Sequence, residues 1–226
     1  MSVPVRSLHC ADAREAEDLA AFLARLLHYD RAAAVRLQAG GPQGPGTSLA
    51  VFGRPPSFEV LAIRAARLGE PAELDVTVSA GELLDAISGA GFAVPVPVTG
   101  PPWAGVLPPR GGWRELPGLP AAPAIHGAVT AAVAEFRTRD EALPAERRTR
   151  AERDRIGREI WSREVGGTPL PLRAVHAAHS LGFLRPGAPV ALFATSSWLR
   201  LRTPFGSVAV RAQGTGGLTV TPTRSA

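Results

Sequence analysis

Apolar residues recur at helical spacing across residues 12–28, where Leu19, Phe22, Leu23, Leu26 and Leu27 gather on one face. Asp12 stands where an N-cap accepts from the backbone, and Glu15 follows three residues later, so a helix is expected to begin there. The period then changes. Val35 and Leu37, and later Leu74, Val76 and Val78, alternate with polar neighbours as half-buried strands do. Strands are expected over 32–38, 48–53, 58–67 and 73–78, with residues 40–46 and 54–57 as turns. Short connections favour antiparallel pairing, giving a four-stranded meander. Ser79 and Glu82 mark a second helix over 79–88.

The pattern breaks at residues 93–123, which hold nine prolines. Prolines at that density favour an extended, semi-rigid path. Trp103, Val106, Leu107, Trp113 and Leu116 are interleaved among them. A loose linker has no use for two tryptophans, so a strap is expected that lies on the domain surface with its indoles buried. The alternative is a peptide-like docking site.

Helical periodicity returns over 124–138, with Ile125, Val129, Val133 and Phe136 on one face, and over 144–165. The latter carries Ile156, Ile160, Trp161 and Val165 inside and Arg147, Arg148, Arg150, Arg153, Arg155, Arg158 and Arg163 outside. Its interspersed Glu146, Glu152, Asp154, Glu159 and Glu164 permit helical ion pairs. A third helix is expected over 170–184 and a strand over 190–195. Residues 198–203 and 207–212 read as a β-hairpin around Pro204, Phe205 and Gly206.

The expected fold is α+β, with four parts. Residues 1–92 form a helix and meander domain, 93–123 the Pro/Trp-rich strap, 124–213 a basic domain of helices and a hairpin, and 214–226 a flexible tail. The order helix, helix, hairpin with outward arginines resembles a winged-helix arrangement. That resemblance implies a recognition helix at 170–184, with Arg173, His176, His179 and Ser180 as candidate readers, and a wing at 198–211.

Charge sharpens this division. All 25 basic residues are arginine. Residues 1–100 carry a net charge of −3 and residues 101–226 a net charge of +8. From Val165 onward there are 6 arginines and no carboxylate side chain. Such asymmetry points to an anionic partner. Arginine also suits phosphate, because its planar fork donates two hydrogen bonds at once. No run of 18 apolar residues exists, so no membrane span is expected. Arg6, Asp12, Arg14, Glu15, Glu17 and Asp18 break any signal-peptide core, so a cytoplasmic location is expected. Cys10 is the single cysteine, which excludes an internal disulfide and a cysteine-based zinc cluster.

Candidate chemistry is sparse. His176 and His179 are three residues apart, a spacing that could share one metal ion with His126. They fall on an apolar helix face, where core packing is the commoner role. The glycines of 40–46 lack a following lysine, and Pro42 and Pro45 remove donors that a phosphate loop needs. No nucleophile, zinc-protease or kinase motif is present. The leading expectation is a non-enzymatic protein whose arginines contact a polyanion, most plausibly nucleic acid, with no cofactor. The expected contacts are Arg147, Arg148, Arg150, Arg173, Arg200, Arg202 and Arg211, as phosphate-positioning groups. The rivals are a protein-interaction or scaffold module, with a homodimer as one form of it, and a metal enzyme built on His126, His176 and His179.

Overall fold

The computed structural model describes residues 6–56 and 58–212. The tail expected at 214–226 lies outside the described residues. The chain is α+β, with five α-helices and antiparallel sheets among the described residues.

Strand β1 (Ser7–His9) precedes helix α1 (Ala13–Tyr29). The Asp12 side chain accepts from the backbone N–H of Glu15 at 2.9 Å, which caps the helix as its sequence implies. Four strands follow: β2 (Ala34–Gly41), β3 (Gly44–Gly53), β4 (Leu61–Ala72) and β5 (Leu74–Ser79). Ser79 then caps α2 (Ala80–Ala86), accepting from the N–H of Glu82. The helix stops at Ala86 because β6 (Ile87–Ser88) and β7 (Gly91–Ala93) fold as a hairpin onto β1.

The meander order is corrected. β5 pairs with β2, from Ala39 opposite Leu74 to Ala34 opposite Ser79, and not with β4. Only Glu73 separates β4 from β5, although β2 and β3 lie between them in the sheet. β4 therefore has to cross the tip of the β2–β3 hairpin. It does so with extra residues: Ser48 faces Arg67 but Gly46 faces Ala72, an irregularity that bends the strand. Gly40 makes room for the crossing. Its φ is 70°, and a Cβ there would lie 2.9 Å from the Ala72 carbonyl oxygen.

After the strap come α3 (Ala122–Glu141), α4 (Arg150–Trp161) and α5 (Leu172–Ser180). Thr149 caps α4, so the helix begins six residues later than the arginine periodicity suggests, after a 3₁₀ turn over Ala145–Arg147. Strands β9 (Ala191–Ala194), β10 (Trp198–Thr203) and β11 (Gly206–Arg211) follow, and Arg114–Leu116 of the strap forms β8.

All four C-terminal strands join the sheet of the amino-terminal half. The order is β5-β2-β3-β4-β11-β10-β9-β8, with the seam at Leu61–Ile63 of β4 against Ser207–Ala209 of β11. The helices cover one face. Phe22 of α1 stacks on Phe183, just beyond α5, at 5.6 Å, within a core that spans both halves. The strap covers part of the other face, which we call the outer face. There Trp103, Leu107 and Trp113 pack on Phe52, Leu61, Ile63, Trp198 and Ala209. Arg36 donates to the carbonyl of Ala104, Arg110 to that of Gly40, and Val98 N–H to Thr77 at 2.9 Å. The strap is thus packed with its indoles partly buried, as its composition implies. Among the described residues, no helix is long and apolar enough to cross a membrane.

Candidate polyanion-binding face

Alternate residues of β10 divide between the two faces of the sheet. Leu199 and Leu201 enter the main core, whereas Trp198 joins the outer-face cluster. Arg200 and Arg202 share the side of Trp198. Register extends the outer face across neighbouring strands: Phe193 stands opposite Arg200, Ser207 opposite Arg202, and Arg211 opposite Trp198. The strap reaches this region at Trp113 and at β8, whose Glu115 stands opposite Phe193. What remains open is a trough of about 680 Å³, lined among others by Phe193, Arg200, Arg202, Ser207, Ile63 and the turn at Pro204.

Two guanidiniums in this trough lack counter-ions. Among the described residues, neither Arg200 nor Arg202 forms an ion pair. Arg200 donates from Nη2 to Ser207 Oγ at 3.1 Å, and its Nε is buried without a partner. Burial, and then the neighbouring Arg202 charge, hold the Arg200 guanidinium below its usual pKa. Glu115, which faces Phe193 from β8, makes no ion pair with either arginine. The third cation lining the trough, Arg64, is different. It is 7% exposed and neutralised by Asp18 at 3.2 Å and Glu15 at 3.5 Å on α1.

Aromatic rings alternate with these cations. The Arg211 guanidinium lies 4.5 Å from the Trp198 ring centre, Arg200 5.7 Å from Trp113, and Arg202 6.0 Å from Phe193. Phe193 and Ser207 were not among the residues singled out from sequence, and Trp113 was expected only as a packing residue of the strap. Strand alternation could have placed Phe193 on a face with Ala191, but only the pairing register sets it beside Arg200.

The other expected contacts lie elsewhere. Arg147 pairs with Glu152 at 3.2 Å, and Arg150 with Asp154 at 3.8 Å. Arg148 donates to the carbonyls of Leu143 and Glu141, closing the end of α3. Arg153 pairs with Asp140 at 2.7 Å, Arg155 with Glu152 at 2.7 Å, and Arg163 with Glu135 at 2.5 Å. Arg139 joins this net through Glu159 at 2.7 Å. The Glu135 carboxyl is held down to about 2 by the Arg163 and Arg139 guanidiniums. The arginine-dense helix is therefore a largely self-neutralised surface. Arg173 sits in the first turn of α5, in the helical layer across the sheet from Arg200.

The expected wing is not a projecting arm. The β10–β11 hairpin forms around Pro204 and Phe205, but β4 and β9 flank it within the sheet, and β11 is buried from Gly206 to Val210. The expected recognition helix α5 buries Leu172, Ala174, Val175, Ala177 and Ala178 in the core. The Trp-bearing strap and this apolar helix, which motivated the interaction-module reading, are both used in packing.

The histidines do converge. His126 and His179 lie 5.5 Å apart, ring centre to ring centre, and His176 stacks on Trp161 at 4.2 Å and meets Phe58 edge-on. Among the described residues, no group of three His, Cys, Asp or Glu side chains is placed to hold a metal ion. Burial first, and then the charge of His179, push the His176 pKa down from 6.5 to about 4. The folded state thus favours neutral His176. Its contribution to stability is whole above pH 6.5 and is lost as pH falls from 6.5 to about 4, while the unfolded chain takes up the proton first. His176→Phe keeps an aromatic ring on Trp161 and should flatten the fall in urea midpoint across that window. An unchanged pH profile would contradict this.

Residues 3–105 match the family model of a domain of unknown function, DUF8010. Residues 108–215 match that of a second domain of unknown function, DUF8185. The two matches meet inside the strap, and the structure joins them through the β4–β11 seam. No curated protein matches the chain.

Proposed function

We propose that this is a non-enzymatic binding protein, acting in the cytoplasm, whose outer sheet face engages a polyanion, most plausibly nucleic acid. One observation carries the reading: Arg200 and Arg202 lie side by side in an open trough, and among the described residues neither pairs with a carboxylate. A half-buried guanidinium next to a second one is unfavourable in isolation, and an anion would relieve both the desolvation and the repulsion. Arg211 extends the row along the same face. Nucleic acid is favoured over a single small anion because the cations repeat along a strand and aromatic rings stand between them.

The test is binding of a fluorescein-labelled oligonucleotide at low salt, where phosphate contacts are strongest. Arg200→Gln and Arg202→Gln should each weaken binding about tenfold, in line with loss of one charge-assisted hydrogen-bonded contact. The double change Arg147→Gln with Arg150→Gln should leave it unaltered, since those groups are already paired with Glu152 and Asp154. Loss confined to the Arg147, Arg150 variant would move the site to α4, and equal loss from both sets would contradict its assignment to the trough. No binding by the unaltered protein would remove the proposal.

A further inference from the structure

We infer that the trough is shaped for a single strand and not for a duplex, with neighbouring phosphates on Arg200 and Arg202 and a base against Phe193. This rests on the polyanion reading and refines it. Outward residues two apart on a strand are separated by about 6.6 Å along its axis. That is close to the distance between successive phosphates on one strand, so the two guanidiniums can take consecutive groups without bending the backbone sharply.

Depth argues against a duplex. Arg200 is half-buried, its Nε is enclosed, Pro189 and Pro204 line the trough with it, and the strap's Trp113 ring lies 5.7 Å from its guanidinium. A duplex is stiff over this length and presents a broad surface, so its phosphates would rest on the rim. A single strand can dip into the trough and turn a base out of its own stack.

The spacing of guanidiniums from rings gives an independent sign. Outside the trough, Arg185 sits 3.8 Å over Phe205, a closed stack, and it also pairs with Asp18. Inside it, the Arg200 and Arg202 guanidiniums stand off at 5.7 and 6.0 Å from Trp113 and Phe193. The rings are therefore not capped by their cations. A planar base that stacks on Phe193 would enter by displacing the exposed Arg202 guanidinium, which stands 6.0 Å from the ring centre.

The experiment compares a short mixed-sequence single strand with a hairpin duplex of the same composition, both labelled, on the full chain at low salt. The single strand should bind at least tenfold more tightly. Phe193→Leu, which keeps an apolar side chain of similar size without a ring, should lower single-strand affinity about five- to a hundredfold and leave duplex affinity unchanged. Phe193→Ala should behave likewise if the fold survives, which the far-UV spectrum reports. Duplex affinity equal to or above that of the single strand would overturn this inference and leave the polyanion reading standing. So would indifference of single-strand binding to Phe193→Leu. Failure of both probes to bind would overturn the reading beneath it as well.

Discussion

Phe22→Ala should lower the stability of both halves of the chain together, by about 3–5 kcal/mol. Phe22 belongs to α1 in the amino-terminal half, is 1% exposed, and stacks on Phe183 of the carboxy-terminal half. Its removal leaves a cavity between the halves, where the continuous sheet prevents either side from collapsing inward. A loss of that size is a large fraction of the 5–15 kcal/mol typical of a whole domain. The tryptophans provide the readout: Trp103 and Trp113 lie in the strap, Trp161 in α4 and Trp198 in β10. In urea, fluorescence and far-UV signals should move to a lower midpoint as one coincident transition. Two separate transitions, with only the first shifted, would contradict the shared core.

That shared core was only partly legible in the sequence. Local rules found what local chemistry decides. Asp12 and Ser79 cap helices because their side chains reach an N–H three residues on. Val35 and Leu37 alternate inward because β geometry leaves no other choice. Pairing between distant strands is not local. Nothing in residues 61–63 or 207–209 names the other as its partner, and both runs are compatible with ending a domain. The order of β5 beside β2 likewise depends on an irregularity in β4 and on the close approach at Gly40, which become meaningful only once the crossing is known.

The same distinction governs the candidate site. Arg200 and Arg202 could be placed on one face of a strand, because alternation needs no tertiary knowledge. That Phe193 stands opposite Arg200 follows from register alone, and the approach of the strap's Trp113 from tertiary packing. The α4 arginines misled for a physical reason. Net charge over a long segment counts each cation, but an arginine four residues from Asp154, or across from Glu135, has spent its charge on a neighbour. What matters for an anion is the cation left without a partner, and sequence distance from a carboxylate does not decide that: past Glu164, Arg185 still pairs with Asp18, whereas among the described residues Arg200 and Arg202 form no ion pair.

The second large effect concerns those unpartnered cations acting together. Removing one of the pair relieves its repulsion on the other, so the remaining guanidinium loses less than an isolated one would, and the two substitutions should not be additive. The double variant Arg200→Gln with Arg202→Gln should lose most of the affinity without a fall in its unfolding midpoint, because the desolvation and repulsion of the pair are removed and neither side chain anchors the core. Ser207, which accepts from Arg200, still lies beside a side-chain amide able to donate in the variant.

Salt dependence separates contact with phosphate from any indirect effect of these changes. Each arginine that neutralises a phosphate of a single strand adds about 0.7 to the negative slope of log affinity against log salt. The decisive measurement is therefore that slope, for the unaltered protein and for the double variant, on the same labelled single strand. A slope shallower by roughly 1.4 in the variant is the expected result, with the Arg147→Gln, Arg150→Gln control unchanged. Identical slopes would mean that Arg200 and Arg202 face no phosphate, and the trough would not be the binding site.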